Sequence, residues 1–203
     1  MLPVVGILVG GQGRRMGGVA KGWLTHEGRP LIERLVEASQ RATAAEGPSP
    51  VYLIGNGAAY VATRLPLLPD DPMGQGPIGG LRALLLEAER MHREAIALAV
   101  DLPYVTADLI RRLCFERAGA AALAPREAGR WQPLFARYRP EPALAALEAA
   151  LASGRTSLQS IFDGIGVGRH GCVELELSPE ERERLRDWDR PHDMDRSVPP
   201  DEP

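Results

Sequence analysis

Apolar positions along this 203-residue chain follow two rhythms. Short, nearly continuous runs, "VVGILV", "PVYLIGN" and "AIALAVDLP", have the length and bounding Gly, Pro, Asn and Asp residues of strands buried on both faces. Between them the apolar residues recur at helical spacing. This spacing predicts a helix from about Leu31 to Ala45, a second in "GGLRALLLEAERMHR" and a third in "TADLIRRLCFERA". Strand and helix in alternation predict a mainly parallel, doubly wound sheet with crossover helices.

The rhythm changes after Gly119. In "AAALAPREAGRWQPLFARY" two short apolar runs flank a polar turn, which predicts a hairpin-like pair beside the main sheet. The helix "PALAALEAALAS", the late strand "GCVELELS" and the charged helical turn "PEERERLRDW" follow. The expectation is one domain over residues 1–196, with "SVPPDEP" at 197–203 a disordered tail too polar and proline-rich to pack.

Composition narrows the chemistry. A formal charge of −3 argues against a general nucleic-acid binder, which needs a basic excess for its phosphate contacts. No apolar run approaches the ~20 residues that span a bilayer, and no basic segment precedes the first strand, so a cytoplasmic protein without membrane contact is expected. Cys114 and Cys172 stand far apart in no metal-ligand spacing and read as reduced structural thiols, and the four histidines are equally scattered. A metal here would be a hard cation on carboxylates.

The densest chemical signal is "LVGGQGRRMGGVAK", Leu8 to Lys21, which directly follows the first strand. Glycines let backbone N–H groups turn inward, and Arg14, Arg15 and Lys21 add positive charge among them, so the loop is built for an anion. Neither familiar glycine template fits: Gly18 is followed by Val19 rather than Lys-[Ser/Thr], and Met16 stands where a dinucleotide fingerprint needs its third glycine.

In open α/β sheets ligands lie beyond the carboxyl ends of the strands, which selects the glycine loop, Asn56 and Asp101. Asp101 ends the most apolar strand, and Thr106 is the better N-cap for the next helix, leaving Asp101 for a metal or ligand. A second glycine cluster, "DDPMGQGPIGGL", opens a helix with Gly76, Gly79 and Gly80 and is expected to face the first loop across a cleft.

In the segments "GILVGGQGRRMGGVAKGWL", "LIGN", "GQGPIGGLRALL", "VDLPYVTADLI", "GRWQPLFARY" and "LRDWDRPHDM", taken in order, the chain resembles the molybdenum cofactor guanylyltransferases, within the sugar-nucleotide-transferase-like nucleotidyltransferases. The resemblance implies a Rossmann-like three-layer α/β/α fold. It also implies Mg²⁺-dependent transfer of GMP from GTP to the terminal phosphate of molybdopterin, with release of pyrophosphate. GTP and molybdopterin would be the small-molecule partners, with room for transient contact with other molybdenum cofactor proteins. Carried over by position, Leu8, Gly10, Gly11 and Lys21 match the loop around the nucleotide, Asn56 the asparagine after the second strand, and Asp70 (or Asp71, by loop register) an acidic nucleotide contact; the backbone N–H groups from Gly10 to Gly13 are expected to hold the triphosphate. Arg15, Gly18, Gly76 and Gly80 match positions around the triphosphate or the pterin, and Asp101 matches the magnesium ligand. "GG" at Gly10 and Gly11 resembles the guanylyl branch; the cytidylyl branch tends to have alanine first.

Two departures bear on this reading. Ala20 stands where the family loop usually has Asp, and "DWDRP" places Asp187 and Asp189 at positions of an Asn-x-Asn-x-Pro motif. An aspartate accepts hydrogen bonds only and is negative, so it favours a cation over a phosphate, which makes Asp189 a candidate second metal ligand beside its role, with Asp187, on the substrate side. The expected catalytic set is Arg15, Lys21 and Asp101, acting by alignment and charge neutralisation without a protein nucleophile. A transferase for another base or acceptor, such as a cytidylyltransferase of the same pterin, and a non-catalytic nucleotide-binding regulator stay open as alternatives.

Overall fold

The computed structural model describes residues 1–10 and 19–195. In chain order the elements are β1 (Val4–Leu8), a 3₁₀ turn (Lys21–Trp23), β2 (Thr25–His26), β3 (Arg29–Pro30), α1 (Leu31–Ala42) and β4 (Val51–Ile54). A second 3₁₀ turn (Ala58–Thr63), β5 (Leu67–Leu68), α2 (Pro77–Arg90), β6 (Ala95–Ala99) and α3 (Ala107–Phe115) follow. The remainder comprises β7 (Ala122–Ala124), β8 (Arg126–Glu127), β9 (Arg130–Trp131), β10 (Phe135–Tyr138), α4 (Pro140–Ala152), α5 (Gln159–Ile165), β11 (Cys172–Glu174), α6 (Pro179–Glu183) and a last 3₁₀ turn (Pro191–Asp195).

Seven strands form one sheet in the order β11-β7-β10-β6-β1-β4-β5. β1 lies in parallel between β4 and β6, with Leu8 level with Ile54 on one side and Ala99 on the other. Only β10 runs antiparallel to its neighbours, β6 and β7. The two apolar runs about "REAGR" are therefore not a pair beside the main sheet: their bases, β7 and β10, are members of it. Only their tips, β8 and β9, stand off as a separate two-stranded sheet. The reason is hydrophobic: Leu123, Phe135, Ala136 and Tyr138 are almost wholly buried, which an outlying hairpin cannot achieve.

Alternation along the strands divides the core. Val4 and Leu8 of β1 pack with Ile78, Leu81 and Leu85 of α2 and with α4 and α5, while Val5 and Ile7 face Ile32 and Leu35 of α1 and Leu109, Ile110 and Leu113 of α3. Helices on both faces of a mainly parallel sheet make the three-layer arrangement that the alternating pattern predicts. Local chemistry sets the helix starts. Thr106 caps α3 through Leu109 N–H at 3.3 Å, Pro77 and Pro140 open α2 and α4, and Ser178 and Glu181 form a capping box at α6.

Arg137, on the antiparallel strand, is 1% exposed, so its charge needs partners. Its guanidinium donates to the carbonyls of Leu113 at 2.8 Å and Arg117 at 2.9 Å and lies 3.3 Å from the Glu94 carboxylate, closing the carboxyl end of α3 against β10. Both cysteines are buried and free, and burial pushes their thiols up to about 11 for Cys114 and about 12 for Cys172, so neither supplies a thiolate. Among the described residues no helix is long and apolar enough to cross a membrane.

Candidate active site

The carboxyl ends of β1, β4 and β6 open on one cleft of about 320 Å³. Leu8 and Gly10 line it from β1, Ile54 from β4, Ala99, Val100 and Asp101 from β6, Asp70, Gly76 and Pro77 from the segment leading into α2, and Leu134 from the turn before β10. Gly10, from the first glycine cluster, and Gly76, from the second, line the same cleft. Gly76 has φ +67 and ψ −149, a backbone state that L side chains rarely adopt, and it turns the chain into α2. Gly11, Gly13, Arg15 and Gly18, expected in the phosphate loop, lie outside the described residues.

Lys21 stands at the centre of the polar contacts. Its ammonium donates to Asp101 Oδ2 at 2.7 Å and to Asp189 Oδ1 at 3.0 Å. Burial alone would lower its pKa, but the two carboxylates outweigh burial and hold it above the ordinary lysine value, so the side chain stays charged. Asp187 is drawn to the same place: its carboxyl is pushed up by desolvation and by the charges of Asp101 and Asp189. Arg186, beside Asp187 in sequence, pairs with Glu183 at 2.7 Å.

A buried tryptophan brings Asp189 to the Lys21–Asp101 pair. Trp188 is 2% exposed, and its backbone N–H donates to Asp101 carbonyl oxygen at 2.9 Å. The indole N–H reaches Tyr104 Oη at 3.2 Å, and the ring meets His26 and Tyr104 edge-on at centroid distances of 5.6 and 6.2 Å. Anchoring the middle residue of "DWD" beside the β6 terminus puts Asp189 within reach of Lys21. Asp193 then closes the segment, accepting from Asp189 N–H at 3.1 Å and Arg190 N–H at 2.7 Å.

The two acids of "LPDDP" separate. Asp70 lines the cleft, and burial pushes its carboxyl pKa up. Asp71 points away and pairs with Arg82 at 2.5 Å, an arginine that also binds Glu148. Room for Asp70 comes from glycine: a Cβ at Gly80 would lie 3.0 Å from Asp70 Oδ1, and one at Gly55 3.3 Å. Gly80 therefore supports the cleft without lining it. Asn56 is exposed beyond the end of β4, where its side-chain oxygen faces Ala58 N–H at 3.4 Å, outside the cleft lining.

Sequence spacing did not single out Tyr60 and Trp188. Tyr60, 2% exposed in the 3₁₀ turn after Asn56, accepts the Gly22 N–H at 2.9 Å, and its ring stacks on Trp23 at 5.7 Å. Burial raises its pKa and Asp101 adds to the rise, so the hydroxyl remains neutral. The signal for Trp188 was an isolated indole in a charged segment; for Tyr60 nothing local existed.

A glycine-lined cleft over the carboxyl edge of a doubly wound sheet, with a lysine and facing carboxylates, defines an α/β nucleotidyltransferase. The chain belongs to the family of the MobA-like NTP transferase domain, whose model matches residues 5–166. It is 34% identical over 195 residues to a probable molybdenum cofactor guanylyltransferase of Opitutus terrae, covering 94% of this chain and 92% of that one. Identity is 35% over 170 residues with the molybdenum cofactor guanylyltransferase of Pseudomonas putida, covering 83% and 86%. Among solved structures it is similar to molybdopterin-guanine dinucleotide biosynthesis protein A of Archaeoglobus fulgidus, with a TM-score of 0.70, 25% identity and 94% of each chain covered.

Proposed function

We propose that this chain transfers GMP from GTP to the terminal phosphate of molybdopterin. An acceptor phosphate oxygen attacks the α-phosphorus of GTP, and the bond from that phosphorus to the bridging oxygen of the β-phosphate breaks. Pyrophosphate leaves with the electron pair. The nucleophile is already an anion, so no general base is needed, and the protein's task is alignment and neutralisation of charge. The observation that carries the reading is the meeting of Lys21 with Asp101 and Asp189 at the edge of the Gly10–Gly76 cleft. The names of the relatives, and "GG" at Gly10 and Gly11, support guanine as the base.

The residues fit a magnesium ion. Two carboxylates from distant segments converge on one cation, the Lys21 ammonium, and hard oxygen donors of this kind suit Mg²⁺. Among the described residues no group of three or more His, Cys, Asp or Glu is arranged to hold a metal. Asp101 and Asp189 would hold the magnesium ion, and when bound it would neutralise charge on the phosphate oxygens. Lys21 would supply positive charge to the triphosphate, and Asp70, which lines the cleft, would accept hydrogen bonds from the nucleotide. Asp187 belongs to the acceptor side of the same segment; Arg15, Gly11, Gly13 and Gly18 keep the phosphate and substrate roles that the resemblance implies and lie outside the described residues.

Pyrophosphate release measured with GTP, CTP, ATP and UTP in the presence of molybdopterin tests this reading. GTP alone should support turnover, with a product heavier than the acceptor by one GMP unit. Preference for CTP, or nucleotide binding with no turnover, would overturn it.

A further inference from the structure

Lys21 has to be held in place by something other than its own turn. The Lys21–Trp23 element is three residues long, closed by Trp23 N–H to Ala20 O at 2.9 Å and Leu24 N–H to Lys21 O at 3.0 Å. Such a short turn has little stability alone. It is docked instead on the Ala58–Thr63 turn: Gly22 N–H donates to Tyr60 Oη at 2.9 Å, and Trp23 Nε1 donates to Ala59 O at 2.7 Å. Gly22 itself is wedged. A Cβ there would lie 2.6 Å from Tyr60 Cε1 and 2.9 Å from Val100 Cγ2. Tyr60 comes from the β4 side of β1 and Val100 from the β6 side, and Val100 immediately precedes Asp101. The wedge thus ties the backbone of Lys21 to the strand end that carries its carboxylate partner.

We infer that Tyr60 is a positioning residue for Lys21, acting through the Gly22 amide that its hydroxyl binds. The inference rests on the nucleotidyl-transfer reading and extends it to a residue outside the cleft lining. Tyr60 is not one of the residues that line the cleft; it locates the α-carbon from which Lys21 reaches Asp101. Without the hydroxyl, the buried Gly22 N–H is left without its acceptor and the turn must shift to find another, taking Lys21 with it. The ring, which fills the core against Trp23, is kept by phenylalanine, so Tyr60→Phe isolates the hydrogen bond.

The test is a double-mutant cycle of Tyr60→Phe with Lys21→Ala, read both as kcat/KM for GTP and as the GTP dissociation constant by calorimetry. With Lys21 present, Tyr60→Phe should lower kcat/KM about tenfold. In the Lys21→Ala background the same change should alter it by less than about twofold, because the group being positioned is gone. An equal loss in both backgrounds would mean that Tyr60 acts on the fold at large, and the inference would fall. Gly22→Ala disturbs the same wedge and should show the same dependence on Lys21, which keeps the test available if Tyr60→Phe does not fold. The calorimetric cycle reads the coupling even for a chain that turns over no GTP, so failure of the proposed reaction and failure of this inference are separate results.

Discussion

The ammonium of Lys21 lies 2.7 Å from Asp101 Oδ2, joining the turn after the glycine loop to the end of β6 across 80 residues of sequence. Asp189 completes the contact from 168 residues away. The lysine occupies the charge position that the same carboxylates would offer a divalent cation.

Lys21 and a metal ion should therefore compete until nucleotide phosphates draw the lysine away. Repulsion between two unit positive charges about 4 Å apart is roughly 1–4 kcal/mol between bulk water and a protein surface, and twice that where one of them is a divalent ion. Lys21→Met should bind Mn²⁺ about tenfold more tightly than the parent in the absence of nucleotide, while losing at least ~100-fold in GTP turnover. Electron paramagnetic resonance titration of free Mn²⁺ measures the first effect. An unchanged Mn²⁺ affinity would show that the lysine does not screen the carboxylates.

Asp189→Asn restores the amide of the family motif and removes one of the two carboxylates facing Lys21. A metal-side role predicts a rise of about tenfold in the Mg²⁺ concentration for half-maximal turnover, with the acceptor KM unchanged. A fall in acceptor KM at constant Mg²⁺ dependence would instead place Asp189 against the acceptor phosphate.

Asp70 and Asp71 differ in what they face, and their variants should differ accordingly. Asp70→Asn removes the charge from the cleft and is expected to lower kcat/KM for GTP by about 10- to 100-fold, as loss of a charged hydrogen-bond acceptor does. Asp71→Asn only weakens an exposed contact with Arg82, so kinetics should stay within about twofold and stability within ~1 kcal/mol. Steady-state assays and thermal melts on the two variants decide this, and equal kinetic effects would refute the division of roles.

The pKa of Asp187 is raised in the folded state by desolvation and by Asp101 and Asp189. Folding therefore favours its protonated form, and the charged form costs stability at neutral pH. That cost is complete above the folded pKa and vanishes as pH falls through it toward the ordinary value of 3.8. Asp187→Asn should raise Tm at pH 7, modestly because the side chain keeps solvent contact, and the gain should disappear below about pH 4. Calorimetric scans across this range would contradict the assignment if the gain were constant with pH.

Much of the architecture was legible locally. A strand buried on both faces must be nearly all apolar, and a helix packed on one side must repeat near 3.6 residues. "VVGILV", "AIALAVDLP" and the segment now α1 therefore announce their states, and Thr106 its cap. The short pieces did not: β5 is two residues long, and α5 lies in a Gly- and Ser-rich stretch with too few turns to show a period.

The strand-end rule similarly brought out the glycine loop and Asp101, because ligand residues in such sheets sit where apolar runs stop. The partners of those residues were decided by tertiary structure alone. "REAGR" reads as the turn of a hairpin, yet only burial against β6 makes β10 part of the main sheet. "DWDRP" shows two carboxylates about a tryptophan, but the burial of Trp188 beside Asp101 is what turns Asp189 toward Lys21. Asp70 and Asp71 are chemically identical in sequence and part company because Gly55 and Gly80 leave room for one and Arg82 captures the other. Periodicity reports how each segment meets solvent and core, a property of near neighbours; which distant side chain arrives at a given atom depends on sheet order and on the space left between packed layers.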